Sequence, residues 1–529
     1  MRPGSSLVWL VEIEVPGDRT FYLATEPITL TNAAGLGVCY DGGLSSVRFD
    51  ESIDLLTVEP ANPTADIEGY LPESLPHLAA RGIDLGECSA VLSWVEVYRG
   101  TPVQSWEGRK RVAQGRLDSP GRADPTKADT WFATTIQCEI GDFSGPLIDR
   151  SFVIREDDFP IVALAPNDGP LYGTMMPLVI GAPGDLTNTF ATPGYYLTYR
   201  PHPTNEVDVL IAGYDTEGTS VDVQDELGNE DTFPIHHGLT ASGIPYTYVT
   251  IDTTGVGPHV SSASNQYLVK WSTASGVSEV SNGAFGGSVA DVILFLLRRS
   301  GAKLNIGRSA AALQRLRAIS FAVYLNDPNT TAWEYLAKVI LPTLPIAMRV
   351  SPDGLVLVYL DPTLPEGMEA ATIDIEASGW LIQGAIISER PEFISAVRVQ
   401  AGLNASLAWM STEYQTDRGE GNIYAAKNDI RARASDRETS TVVTLDLPWG
   451  QDETSAQFVA GAYLALRTGA KLTAEYTAPL DYAFIDVGDT VRITHASASL
   501  TNTPGIVTRK SWAGASWVFT VILFPGVKT

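Results

Sequence analysis

Histidines, cysteines and acidic clusters are the residues here whose chemistry could go beyond packing. The 6 histidines are His77, His202, His236, His237, His259 and His495. None stands in an HxH or HExxH spacing or pairs with a cysteine, and His236 and His237 on one strand point to opposite faces. The 3 cysteines, Cys39, Cys88 and Cys138, lack the spacing of a zinc knuckle or redox pair. Their apolar neighbours predict buried free thiols. Asp222, Asp225, Glu226, Glu230 and Asp231 offer the oxygen ligands calcium takes. They lack the alternate-residue pattern and late bidentate glutamate of an EF-hand, and read as a solvated loop. Glu156-Asp157-Asp158 reads the same way.

No G-x-S-x-G elbow, Walker loop or dinucleotide fingerprint is present. A glycosidase needs two carboxylates facing one another across a cleft. The chain has 62 acidic residues, but no two stand at a recognisable spacing. The residues therefore assign no catalytic group, no cofactor and no metal, and predict a protein that is not an enzyme.

Charge is more informative. The 529 residues carry 36 Lys and Arg against 62 Asp and Glu, a formal net charge of -26. That balance excludes ordinary sequence-independent duplex binding, which depends on cations displacing counterions from phosphate. It suits solubility, a cation-rich partner, or a channel wall along which a polyanion slides without sticking. Two basic groups stand against this background. Arg298, Arg299, Lys303, Arg308, Arg315 and Arg317 occur with no acid among them, and Arg109, Lys110, Arg111 and Arg116 lie on a predicted hairpin. The first group has two readings, an interface toward an acidic face of a neighbouring copy or a solvated helix surface. Neither group has interleaved aromatics, so single strands are not expected to stack there.

The elements that must hold these residues follow from periodicity. Length predicts roughly three to four domains. The fold class is α+β, mainly β: a multi-domain chain of antiparallel β-barrels or sandwiches with a small helix-containing α/β module. A β-rich segment, 1–165, includes strands at Leu7–Val15, Phe21–Ala24, Val47–Phe49, Leu55–Val58, Ala90–Tyr98 and Thr130–Glu139, with a turn at Asp41-Gly42-Gly43. Large groups on both faces of Ser89–Tyr98 predict a strand buried on one side and touching a neighbouring domain or subunit on the other, with Trp94 a candidate interface anchor. A Pro- and Gly-rich crossover and a second β unit fill 166–285.

The helical module spans 286–370. Ser288 and Asp291 cap its first helix, and Gly301 ends it. A second helix follows Ser309, and Thr331 with Glu334 forms a capping box before a third. A hairpin turns at Asp353-Gly354. Residues 371–529 return to strands, with one helix near 455–468 capped by Thr454 and Gln457 and closed by Gly469. The N-terminus lacks a signal pattern, and the longest apolar run, Val292–Leu297, is far short of the roughly twenty residues a spanning helix needs. Synthesis and folding in a cytosol are expected, with no membrane partner.

Three passages carry a resemblance. The tail reads Gly488-Asp489-Thr490-Val491-Arg492-Ile493-Thr494, then Gly505-Ile506-Val507, then a closing apolar strand from Trp517 to Phe524. That order resembles the last barrel of bacteriophage tail baseplate hub proteins. The box Thr331-Ala332-Trp333-Glu334 followed by Ser351-Pro352-Asp353-Gly354-Leu355 is similar to the helix and hairpin of the same family. The N-terminal β unit leading through Gly173 to Gly184 is similar to tail tip proteins of long non-contractile tails and of gene transfer agents.

The resemblance implies a homotrimeric ring at the distal end of a virion tail, assembled in a host cytoplasm. It further implies a distal tail or tail tube protein on one side, a spike or fibre protein on the other, the tape measure protein nearby, and DNA passing without specific binding. The β unit at 185–280 departs from the minimal family pattern. Two other readings stand beside the hub: a carbohydrate-binding or carbohydrate-active β protein, and another tail adaptor such as a distal tail protein.

Overall fold

The computed structural model describes residues 5–32, 34–53, 55, 62–98, 103–118, 126–138, 143–147, 153–155, 158, 173, 175–181, 192–197, 206–213, 216–224, 229–252, 266–271, 276–277, 287–325, 329–363, 367–389, 394–401, 441–450, 453–467, 471–512, 514 and 516–525. The fold is mainly β and mostly antiparallel. Its frame is a 13-stranded sheet to which both ends of the chain contribute. From one edge the strands run Thr20–Ala24, Ser5–Glu14, Ser89–Tyr98, Lys110–Leu117, Trp131–Gln137, Thr64–Tyr70 and Leu44–Ser52. The sheet then passes to Leu500–Trp512, Trp517–Leu523, Lys471–Ala478 and Leu381–Glu389. Thr490–His495 pairs with Leu500–Trp512 and, in parallel, with Ala371–Asp374.

The seam is the antiparallel pair Leu44–Ser52 and Leu500–Trp512, in which Lys510 faces Glu51 and Trp512 faces Phe49. Alternation sets the register, because Leu44, Val47 and Phe49 turn inward while Ser46 and Arg48 are partly or fully open to solvent. Trp9, Phe49, Trp512 and Trp517 meet beneath the seam. Trp512 and Trp517 have ring centroids 5.1 Å apart, and Trp9 lies 5.6 Å from Trp512 and 5.9 Å from Trp517. The core they belong to draws on both ends of the chain, from Val11 and Phe132 to Tyr476 and Phe519.

Ser89–Tyr98 is covered on both faces by its own chain. Leu92 and Trp94 enter the large core, while Val95 packs in a smaller one with Val8, Leu10, Leu30 and Tyr40. The Thr- and Asp-rich stretch read as a second β unit forms a closed barrel of 6 strands: Thr192–Leu197, Glu206–Ala212, Pro245–Asp252, Glu230–Leu239, Ser220–Gln224 and Gln266–Lys270. Valines, Ile211, Ile251 and Trp271 fill it.

The helices form where the apolar stripes predict them. In Val289–Ser300, Ser288 accepts from the Asp291 backbone N–H and Gly301 closes the end at φ 82°. The Thr331–Glu334 capping box is complete, but only one α-turn follows, Ala332–Tyr335. It widens into a π-turn over Leu336–Ile340 and tightens to a 3-10 turn over Leu341–Thr343, where Pro342 cannot donate to the ladder. The second helix starts before Ser309 rather than after it: Ile306–Leu316 is capped by Asn305, and buried Ser309 accepts from the Leu357 backbone N–H at 3.0 Å. Helix Glu453–Arg467 begins one residue before the expected cap Thr454. It packs in one core with the hairpin and with the parallel pair Ile394–Ala401 and Thr441–Leu447. Gly469 and most of Leu55–Val58 lie outside the described residues. No helix among the described residues is long and apolar enough to cross a membrane.

Trp517→Ala removes a fully buried ring from the junction of the two chain ends. It is expected to cost about 3–5 kcal/mol, the usual penalty for emptying an aromatic core site. Urea unfolding checks this, and a loss within about 0.5 kcal/mol, the range of ordinary surface substitutions, contradicts a shared core.

Candidate functional site

The residues most able to do chemistry stand apart. Among the described residues no group of three or more His, Cys, Asp or Glu could hold a metal ion. His236 lies 5.4 Å from the Tyr248 ring, His237 Nδ1 is 3.4 Å from the Thr247 hydroxyl, and His495 Nδ1 is 3.5 Å from the Tyr476 hydroxyl. His77 lies in the short helix Leu75–Ala80. His202 and His259 lie outside the described residues. All three cysteines are free thiols, but only Cys88 is buried: Cys138 is half-buried and Cys39 exposed. Cys39 sits on Gly37–Tyr40, a strand of a small separate sheet, where side chains alternate out to solvent. Asp222 accepts from Thr232 Oγ1 at 2.7 Å across a strand pair, and Asp225 and Glu226 lie outside the described residues. Of the 156–158 acids only Asp158 is described, buried and accepting from Ser242 N and Oγ.

The site that does gather charge is an ionic junction at the seam. Asp486 sits in the loop between Leu480–Tyr482 and Thr490–His495, fixed by its backbone N–H donating to Asp489 Oδ2 at 2.7 Å. Three cations converge on its carboxylate. Arg349 Nη2 donates at 2.9 Å, Lys510 Nζ at 3.1 Å, and Arg308 completes the set. Arg349 Nη1 also reaches both oxygens of Glu51, at 3.3 and 3.4 Å. Lys510 Nζ donates to the Ala483 carbonyl at 2.8 Å and lies 4.7 Å from the Trp517 ring centre. Arg349, Glu51 and Lys510 are buried, with side chains 7%, 5% and 4% exposed.

Neighbouring charge sets the proton affinities. Burial alone would raise the Asp486 carboxyl, but Lys510, Arg349 and Arg308 outweigh it and hold it well below the usual carboxylate range. Burial pushes Glu51 up against the pull of Arg349. Asp489, half-buried, is raised to about 6 by its burial and by the neighbouring Asp486. Burial opposes the charge on Arg349, yet Asp486, Glu51 and Asp489 more than restore it. Two carboxyls with opposed shifts in one cleft are the pattern of an acid–base pair. Here Glu51 and Asp486 are both held by the same guanidinium, so the geometry describes a clamp.

The clamp forms the floor of a cleft of about 440 Å³, walled by Arg109, Lys110 and Arg111 and by the tip of the Ile346–Ser351 and Gly354–Tyr359 hairpin. A second cleft of about 440 Å³ lies across that tip, lined by Arg116 and Lys303. The tip is held by Leu355 N–H donating to the Lys303 carbonyl and Asn305 N–H to that of Leu355, each at 2.8 Å. Gly354 adopts φ +118°, and a Cβ there would stand 2.5 Å from the Lys303 carbonyl oxygen.

The basic island is thereby divided. Arg308 meets Asp486, and Arg315 meets Asp361 at 2.6 Å, lying 4.9 Å from the Tyr359 ring centre. Arg299 lies 5.5 Å from the Phe295 ring centre. Arg298, Lys303 and Arg317 are exposed. Trp94 is 7% exposed, in the large core and on the edge of the first cleft. Glu51, Arg349, Asp486 and Lys510 escaped the sequence reading. Arg349 left the one usable signal, a cation in the middle of the otherwise apolar strand Ile346-Ala347-Met348-Arg349-Val350.

No protein-family model matches the sequence, and no curated protein matches it. Among solved structures, the tail protein from Neisseria meningitidis MC58 is similar over 98% of this chain and 97% of its own, at 11% identity and TM-score 0.37. The 43 kDa tail protein of prophage MuSo2 from Shewanella oneidensis is similar over 97% of this chain and 98% of its own, at 8% identity and TM-score 0.34. A chain of the p2 virion baseplate in its activated conformation covers 71% of this chain and 97% of its own, at 11% identity and TM-score 0.17. Likenesses this distant establish neither a family nor a role.

The junction predicts a pH dependence. A carboxyl held above its ordinary value binds its proton more tightly in the folded state, so its contribution to stability falls as pH rises. For Asp489 the window runs from 3.8 to about 6, and Glu51 acts in the same direction. Asp486 acts oppositely, its contribution being lost as pH drops below 3.8. Asp489→Asn keeps an acceptor for the Asp486 N–H. It is expected to flatten the decline between pH 4 and 6 and to raise stability at pH 7 by about 1–3 kcal/mol. Urea titrations at several pH values check this, and a decline as steep as wild type contradicts the assignment.

Proposed function

We propose that the chain is a structural component of a bacteriophage tail and, within the tail, the baseplate hub. The observation that carries the reading is the frame itself. Strands from the first and last quarters of the chain form one sheet over one core, and Asp486 ties that sheet to the central hairpin. A subunit that must hold shape while force passes along a tail needs its ends locked together, because an interface between loosely joined units yields first. The tail motif Gly488-Asp489-Thr490-Val491-Arg492-Ile493-Thr494 lies inside this frame, with its strand paired on both sides.

In this reading three copies close a ring. The ring sits between a distal tail or tail tube protein and a spike or fibre protein, near the tape measure protein. Each copy brings a net charge of -26, so a bore lined by these subunits lets DNA pass without gripping it. The chain needs no cofactor, and its place is the virion tail, assembled in a host cytoplasm. The ion-paired carboxylates give no support to the sugar-cleaving alternative.

Quantitative mass spectrometry of purified particles tests the reading. A ratio near three copies per tail is expected. Six copies would indicate a distal tail adaptor, and absence from the particle would overturn a tail role.

A further inference from the structure

Part of one basic group, Lys303 and Arg308, meets the other, Arg109, Lys110, Arg111 and Arg116, at the hairpin tip. The first cleft carries Arg109, Lys110, Arg111, Arg308, Arg349 and Lys510 against Glu51, Asp353 and Asp486. The second adds Arg116 and Lys303, with Asp353 again its only acid. Together the walls hold eight cations and three acids, a formal +5. The rest of the chain then has 36 less 8 cations and 62 less 3 acids, or 28 against 59, a formal -31. Among the described residues, these walls gather eight cations against three acids in a chain whose overall charge is -26.

Several of these cations are already matched: Arg109 by Glu12, Arg111 by Asp353, and Arg308, Arg349 and Lys510 by Asp486. The Lys110 and Lys303 side chains are exposed, and neither forms an ion pair among the described residues. Arg349 Nε is buried with no acceptor. Phe484, 53% exposed, adds an apolar surface to the first cleft. Asp353 stands at the tip between the clefts with its side chain 50% exposed. A continuous phosphate backbone crossing the tip would be repelled there, whereas separate carboxylates on a folded surface can straddle it.

We propose that the hairpin tip and its two clefts are the docking patch for an acidic surface of a second copy of this chain, with Lys110 and Lys303 as the outer contacts. Every copy carries both the compact basic patch and the large acidic remainder. The contact is therefore head-to-tail, the kind that closes a ring when the rotation permits. This rests on the ring reading above and names the surface that builds it.

Sedimentation velocity of the full chain at low and high salt tests the patch. Wild type is expected to self-associate at low salt and dissociate as salt rises. The double variant Lys110→Glu with Lys303→Glu is expected to weaken association about tenfold or more, since like charges now face across the contact. Both lysines are exposed, so its melting temperature should match wild type. Lys110→Gln with Lys303→Gln gives the same direction with a smaller effect if the reversed variant does not fold. A monomeric wild type, or association indifferent to salt and to both variants, overturns the proposal. Retention of a short duplex DNA by wild type but not by the variants also overturns it, assigning the clefts to a polyanion. A threefold ring that persists in the variants removes the patch but leaves the hub reading standing. Absence of the chain from tail particles removes the hub reading whatever the sedimentation shows.

Discussion

One carboxylate organises the centre of this molecule. Asp486 accepts from Arg349 on the central hairpin, from Lys510 on the seam strand, and from Arg308 in the helical module. Arg349 passes the connection on to Glu51 at the N-terminal side of the seam. Taking such charges out of water costs several kcal/mol each, and their mutual attraction does little more than offset that. The cluster is therefore poorly explained as a source of net stability. Its effect is on uniqueness: an arrangement that separates the hairpin from the seam strands the buried charge of Arg349, Glu51 or Lys510, which costs about 3–5 kcal/mol.

Apolar burial supplies the stability that the ions do not. The four aromatic rings under the seam come from Trp9 and Phe49 at one end of the chain and Trp512 and Trp517 at the other. Their contact requires that residues roughly 460 to 510 positions apart pair early or late in folding, at a large loop-closure cost in either case. The exposed Arg509–Asp50 pair, bidentate at 2.8 and 2.9 Å, adds register rather than strength. The same layout joins both chain ends in one frame and sets the hairpin tip, held by Lys303 and Asn305, between the two clefts.

Local elements were legible in the sequence where one side chain or one period decides them. Ser288, Thr331 and Glu334 cap their helices as their types predict, and the Asp353-Gly354 turn and the closing strands fall in place. Thr64–Tyr70 was missed because Ile67 is the one large apolar residue among its inward positions, flanked by Ala65 and Gly69, which raises no period-two signal. The second helix reads as following Ser309 although it starts at Ile306 behind Asn305, because serine and asparagine both favour helix starts and only the Leu357 N–H donated to Ser309 shows that this serine is engaged elsewhere. The junction was illegible for a stronger reason. Its members lie at 51, 308, 349, 486 and 510, and nothing local in a sequence records which distant charges will share a burial site. The two basic groups were each visible, but the meeting of Lys303 and Arg308 with the second group was not.

The central claim is that three distant regions act as one unit through Asp486. Hydrogen exchange on Asp486→Asn, compared with wild type, tests it most directly. Protection should fall together in Leu44–Ser52, in the Ile346–Ser351 and Gly354–Tyr359 hairpin, and in Leu500–Trp512. Loss confined to the loop around residues 483–489 would show that the charges decorate a frame already fixed by its apolar core, and would contradict the account.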